Sequence, residues 1–152
     1  MSATPPAEPR ARALAGRVEP LPERLRPDAV ALWHAVGLTR PWNDPEADLL
    51  RALRGPDSTV LAALDGDRLV GTAMVGSDGH RGWVYYLAVA PGEQRHGWGR
   101  RLVQECERWV LDRGIPKLQL MVREDNDRAL DFYAALGYET VQVHVLGRRL
   151  DG

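Results

Sequence analysis

Residues 84–101, VYYLAVAPGEQRHGWGRR, set the frame for the whole chain. The apolar run from Trp83 to Ala90 has the length and the β-branched and aromatic content of a strand buried on both faces. Pro91 and Gly92 stop it, and Gln94-Arg95-His96-Gly97-Trp98-Gly99 leads into a helical pattern opening at Arg100. A strand that passes through glycines into a helix N-terminus makes an anion site. The first-turn N–H groups lack partners, and the helix dipole favours negative charge there. Gly97 and Gly99 carry no Cβ to hold an oxygen away from those donors. Arg95, His96, Arg100 and Arg101 add positive charge at the same point, so a pyrophosphate is the expected occupant.

Spacing narrows the choice of pyrophosphate. A dinucleotide-dependent oxidoreductase asks for G-x-G-x-x-G with an acidic residue about twenty positions on, and Leu102 stands where the third glycine belongs. A P-loop asks for Gly-Lys-Ser/Thr, and neither Lys nor Ser/Thr follows Gly99. Gln94, Gly97 and Gly99, after Leu87-Ala88-Val89-Ala90-Pro91, do resemble the acetyl-coenzyme A motif of the GNAT N-acetyltransferase superfamily. A second phrase carries the same resemblance: Asn126, Ala129, Tyr133 and Gly137-Tyr138 follow its Asn-x-x-Ala-x-x-x-Tyr-x-x-x-Gly-Tyr/Phe pattern.

Composition sets wide bounds. The 152 residues suffice for one domain with a proper core. A net charge of −1 gives no pull toward nucleic acid or an anionic membrane. Lys117 is the only lysine, so the basic residues are nearly all Arg. A single cysteine excludes an internal disulfide and a thiolate metal cluster, and is read as cytoplasmic. No apolar run approaches the ~20 residues of a membrane span. Residues 1–17 are expected to form a disordered tail and 18–152 a single domain, with 14–21 as an optional edge strand.

Local patterns fill in the elements. A helix is expected from Pro27, with Val30, Leu32, Trp33 and Val36 at helical spacing, Gly37 as cap and His34 among its residues. The loop LTRPWNDP, 38–45, precedes a short helix over 46–54. Trp42 is read either as a staple packing this loop or, with Asn43 and Asp44, as a wall of an acceptor pocket. Thr59–Leu64 and Arg68–Val75 read as a hairpin about Asp65-Gly66-Asp67. The loop 77–82 brings Asp78, His80 and Arg81 beside the cofactor strand, either as a solvated turn or in contact with the acceptor. One His and one Asp are too few for a metal site, and none is expected. The helix after Gly99 runs to about Arg113, with Cys106 on its apolar stripe as a core residue. Strands are expected over 116–122, 140–145 and 146–150, around a short helix capped by Asp125 or Asn126.

The resemblance covers about residues 27–150. It implies an α/β (α+β) fold: a mixed, twisted six- to seven-stranded sheet flanked by about four helices, its two central parallel strands splayed apart. It implies acetyl-coenzyme A as cosubstrate, with pantetheine along Leu87, Ala88 and Val89 and pyrophosphate on Gln94, Arg95, His96, Gly97, Trp98, Gly99 and Arg100. Asn126 then binds the pantetheine arm or fixes its helix start, and Tyr133 is the acid for the departing thiolate. The reaction implied is direct attack by a primary amine in a ternary complex. The alternative is a coenzyme A-binding or sensing module without turnover.

Many relatives place a Glu on or beside the cofactor strand, where this chain has Tyr85 and Tyr86. His80, Asp78, Asp44 or ordered water are the candidates for the base. RPWNDP, SDGHRGWVYYL and VREDN are similar to the small bacterial YpeA-type acetyltransferases. Trp42, Asn43, Asp44, Asp78, His80 and Tyr85 are the candidates facing an amine-bearing small molecule or a protein or peptide amine. Neither nucleic acid nor membrane is expected as a partner, and exposed sheet edges suit a monomer or a homodimer.

Overall fold

The computed structural model describes residues 16–152. They form a five-stranded sheet in sequence order, β1-β2-β3-β4-β5. The strands are β1 (Gly16–Pro20), β2 (Ser58–Asp65), β3 (Arg68–Ser77), β4 (Gly82–Val89) and β5 (Leu118–Leu120). The helices are α1 (Arg26–Ala35), α2 (Pro45–Arg54), α3 (Trp98–Leu111) and α4 (Asp127–Ala135). The first four strands pair antiparallel, and β4 pairs with β5 in parallel. β1 opens at Gly16, inside the stretch expected as tail; the remainder of that tail lies outside the described residues.

The chain divides into two compact units, Met1–Met121 and Val122–Gly152. In the first, two apolar clusters form. One joins Leu21, Leu25, Trp33, Leu49, Val60, Ala62 and Leu64, and so seats α1 and α2 on the sheet. The other joins Leu61, Val70, Val75 and Val84 to Leu102, Cys106 and Val110 of α3. The 3.6-residue period of α3 places these last three residues on one stripe. Asp44 caps α2, its carboxylate accepting from the Ala47 N–H at 3.1 Å, a contact typically worth ~1 kcal/mol.

In the second unit Asn126 caps α4 by accepting from the Ala129 N–H at 3.1 Å. Gly137, at φ +92°, ends that helix, and the Tyr138 N–H returns to the Tyr133 carbonyl at 3.0 Å. This is the Schellman closure that a left-handed glycine permits.

Two expectations need correction. The sheet of the described residues has five strands rather than six or seven. Residues 140–150 form no strand, and the strand expected over 116–122 shrinks to Leu118–Leu120. Val141, Val143 and Val145 alternate as a strand would, yet all three are exposed, and the Val143 N–H bonds only as far as the Val141 carbonyl. Alternation of side chains gives a strand its two faces, but the ladder needs a neighbouring edge.

Candidate active site

β4 ends as the sequence suggests. Pro91–Glu93 form one 3-10 turn, and the chain then bends through Arg95 at φ +66° and Gly97 at φ +82° into α3. Successive residues in such conformations turn backbone N–H groups into a concave anion cradle. Among the described residues, no carbonyl accepts from the N–H groups of His96, Gly97, Trp98 or Gly99. The first helical bond runs from the Arg101 N–H to the Gly97 carbonyl at 3.1 Å. Gln94, Arg95, His96 and Arg100 are exposed around this bend. Gln94 reaches back toward the Val89 carbonyl at 3.5 Å.

Two neighbours of the cradle have other tasks. Arg101 lies over the Trp98 ring and donates to the Gly16 carbonyl at 2.9 Å, so it fastens β1 to α3. Trp98 is itself buried beneath the helix start. Glu93 accepts from Arg68 at 2.6 Å and lies 3.4 Å from His96. The Arg68 hydrogen bond holds the Glu93 carboxyl below its ordinary range. That pairing neutralises the one carboxylate in the bend.

The edge of β4 is open where the cradle begins. β5 pairs with β4 only over Gly82, Trp83 and Val84, matched to Leu118, Gln119 and Leu120. From Tyr85 onward no described strand lies on that side of β4. On its other side β4 is bulged: Met74 faces Tyr85 and Thr72 faces Ala88, so Tyr86 and Leu87 together oppose Ala73. The bulge moves side chains to opposite faces. Val84 and Leu87, three residues apart, both pack on the α3 side, whereas Tyr86 and Ala88 pack on the α1 and α2 side. Leu87 and Val89 are half-buried and Ala88 is buried.

Tyr86 stands at φ +50°, where a bulky side chain carries a strain of roughly 1–3 kcal/mol. Its surroundings hold it there. The Tyr86 ring stacks on Trp33 with centroids 4.0 Å apart and planes 19° from parallel. Its carbonyl accepts from the Thr72 hydroxyl at 3.0 Å, and that hydroxyl accepts from the Trp33 indole N–H at 2.8 Å. Its own hydroxyl donates to Asp48 Oδ2 at 2.8 Å. Burial, with the Asp48 bond and the charges of Asp48 and Asp44 behind it, pushes the Tyr86 phenol well above its ordinary pKa. The Tyr86 hydroxyl therefore stays protonated and serves as a hydrogen-bond donor to Asp48.

The acceptor-side candidates fall in two places. Trp42, Asn43 and Asp44 precede α2, and Asp44 is close enough to act on the Tyr86 hydroxyl. Trp42 is 57% exposed, so it does not staple the loop to the core. Asp78, His80 and Tyr85 lie toward the opposite end of β4. Asp78 accepts from the N–H groups of Arg81 and His80 at 2.7 and 2.8 Å and from the Trp83 indole at 3.2 Å. Those three donors, Arg81 foremost, hold its pKa down at about 2. Tyr85 is 44% exposed, and its phenol is raised by burial and by Asp78. Asn126 and Tyr133 belong to the second unit, where the Tyr133 ring meets Phe132 and Tyr138 edge-on at 5.0 and 5.7 Å.

Trp33, Thr72, Tyr86 and Asp48 did not stand out as functional from sequence. An aromatic stripe on a helix and a threonine in an apolar strand read as core, and only the contacts reveal the polar line through them. Among the described residues no three His, Cys, Asp or Glu side chains are placed to share a metal ion, and no helix is long and apolar enough to cross a membrane.

Residues 27–138 match the family model described as acetyltransferase (GNAT) family. An acetyltransferase of Pectobacterium atrosepticum is 46% identical over 122 residues, which is 80% of this chain and 86% of the relative. An acetyltransferase of Yersinia pestis is 43% identical over 123 residues, covering 81% and 87% of the two chains. The fold resembles that of an aminoglycoside acetyltransferase from an uncultured soil metagenomic sample, solved with trehalose (TM-score 0.73, 24% identity, 90% and 97% covered). It also resembles the aminoglycoside acetyltransferase AAC(6')-Iy bound to a bisubstrate analog of coenzyme A and acetylneamine (TM-score 0.77, 15% identity, 88% and 97% covered). The bend after β4 and the open β4 edge fit these matches: the chain belongs to the GNAT acetyltransferase family, as an acetyltransferase.

Proposed function

We propose that the chain acetylates a primary amine on a small cationic acceptor, and that it is of the YpeA type within its family. The observation that carries the site assignment is the continuity of two unpartnered donor sets: the β4 edge from Tyr85 onward and the N–H groups of His96 to Gly99. Buried or half-buried backbone groups without partners are costly, so an extended ligand with amides followed by a diphosphate fits them in order. Leu87, Ala88 and Val89 hold the pantetheine arm in a splay of the sheet between β4 and β5. Gln94 to Arg100 take the pyrophosphate, with Arg95, His96 and Arg100 supplying charge.

Bound acetyl-coenzyme A supplies the activated acetyl thioester; the chain supplies the rest. Backbone N–H of Leu87 steadies the developing oxyanion, whereas that of Ala88 faces Thr72 on β3. Tyr133, by its place in the family phrase, is the acid for the thiolate, and Asn126 sets the start of its helix. Trp42, Asn43 and Asp44 present an aromatic face and negative charge to the acceptor. Asp78 is occupied by its own loop, which leaves Asp44, His80 or water to take the amine proton. The similar folds of aminoglycoside acetyltransferases, one of them solved with an acetylneamine bisubstrate analog, make aminoglycosides and simpler polyamines the first acceptors to try. The family match runs from 27 to 138 across both compact units, which supports reading 18–152 as one functional domain.

The test has two stages. Acetyl-coenzyme A at about 100 times its Kd should raise the melting temperature by several degrees, since that occupancy adds ~2.7 kcal/mol. Thiol release with a panel of amines then identifies the acceptor. Tyr133→Phe should lower kcat by about 100-fold while the acetyl-coenzyme A Kd stays near the wild-type value. Equal loss of kcat and affinity would make Tyr133 a packing residue. Binding without any thiol release would leave a sensing module.

A further inference from the structure

The bulge in β4 is anchored from outside the sheet by one side chain on α2. Asp48 stands in the first turn of that helix, where the dipole favours a carboxylate. One of its oxygens accepts from Arg51 on its own helix at 3.0 Å, and the other accepts from the Tyr86 hydroxyl at 2.8 Å. The carboxylate is thus oriented by α2 before it reaches β4. The remaining holds on Tyr86, from Trp33 and Thr72, come from residues with no exposed surface. The Asp48 side chain is 26% exposed. Removing it opens no core cavity, so its effect on the bulge can be separated from folding. Tyr86 remains a hydroxyl donor because burial and Asp48 oppose its ionisation.

The structure assigns Asp48 a positioning role in acetyl transfer: by accepting the Tyr86 hydroxyl it fixes the left-handed turn that aims the Leu87–Val89 backbone at the thioester. The turn lies where β5 leaves β4, so any rotation at Tyr86 is passed directly to the N–H group of Leu87, which points away from β3. That is the donor that must lie within about 3 Å of the developing oxyanion. A misplacement of about 1 Å there costs turnover on the order of a hundredfold while the long contact with the cofactor is retained. This role rests on the placement of the pantetheine arm proposed above.

The experiment compares Asp48→Ala, Asp48→Asn, Tyr86→Phe and the Asp48→Ala/Tyr86→Phe double variant. Without ligand, deuterium exchange in a peptide covering 85–90 should rise roughly tenfold in Asp48→Ala and Tyr86→Phe, with residues 102–110 unchanged. Asp48→Asn, whose amide oxygen still accepts from the phenol, should stay within about threefold of wild type. In acetyl-coenzyme A titrations all variants should keep Kd within about threefold, while kcat for thiol release falls roughly tenfold or more in Asp48→Ala and is restored by Asp48→Asn. The double variant should be no worse than either single one. Additive losses, parallel loss of Kd and kcat, or Asp48→Asn as poor as Asp48→Ala would overturn the role. Unchanged exchange would overturn the link from Asp48 to the bulge alone. Absence of thiol release from the wild type, with exchange responding as expected, would instead overturn the acetyl-transfer reading on which the role depends.

Discussion

The two faces of the sheet are built differently. On the α3 side Leu61, Val70, Val75 and Val84 meet Leu102, Cys106 and Val110, and every contact is apolar. Burial pushes even the Cys106 thiol up to about 12, which keeps it an inert packing group. On the α1 and α2 side a comparable apolar cluster is crossed by a line of hydrogen bonds from Trp33 through Thr72 to the Tyr86 carbonyl, and from the Tyr86 hydroxyl to Asp48. Thr72 is the buried polar residue of the described chain, and its hydroxyl both donates and accepts. Apart from Arg101, which donates to the Gly16 carbonyl at the β1 edge, the α3 face holds itself by apolar contact. The polar line sets one strand conformation at one place, and that place is the open edge of β4.

The comparison is tested first by deleting volume on the apolar face. Leu102→Ala should cost ~2–5 kcal/mol, because Leu102 has no exposed surface and the helix and sheet can close only partly over the gap. Denaturant unfolding measures this. Deuterium exchange should rise across α3, β3 and β4 together, as expected when a whole face loosens.

A smaller effect should follow from Thr72→Val, which keeps the shape and removes the hydroxyl. It leaves the Trp33 N–H without its acceptor and the Tyr86 carbonyl without its donor, at a cost of ~1–3 kcal/mol. Here exchange should rise at residues 85–90 and not along α3. If Thr72→Val loosened both faces equally, or Leu102→Ala acted only on β4, the division of labour between the faces would be wrong.

Much of this was readable because its causes are local. The strand, the Pro91-Gly92 stop, the glycine bend and the amphipathic α3 follow one another within thirty residues, and each is signalled by its own residue types. The β2–β3 hairpin about Gly66, at φ +62°, and the Asn126 cap are equally local. The bulge was hidden because Trp83 to Ala90 is apolar throughout, and a run without polar residues has no period whose interruption could be seen. Asp48 was hidden because its partner lies 38 residues away on another element, and a carboxylate in the first helical turn already has a sufficient local explanation. At the C-terminus the limit ran the other way. The alternating valines of 140–145 were a real pattern, and pattern alone could not supply an edge to pair with.

The smallest expected effect concerns Asp78, at the end of β4 away from the bend, and it tests whether the polar contacts of the two ends are independent. Three donors stabilise the charged carboxylate, so its pKa is lowered to about 2 in the folded chain, below an unfolded value of about 4. A lowered carboxylate pKa adds stability that is complete above the unfolded value and disappears as pH falls through the folded one. The loop 77–82 should therefore stay ordered at pH 5 and loosen between about pH 4 and pH 2. The Trp83 indole N–H, which donates to Asp78 Oδ2, is the natural reporter, and its proton resonance should titrate with a midpoint near that of the carboxyl. In Asp78→Asn the titration should vanish. Because Asp78 is exposed, global stability should change little, and exchange at residues 85–90 should not follow the titration. Exchange there that does follow it would mean that the loop, and not only Asp48, sets the conformation of Tyr86, since Tyr85 adjoins the bulge and already feels the Asp78 charge.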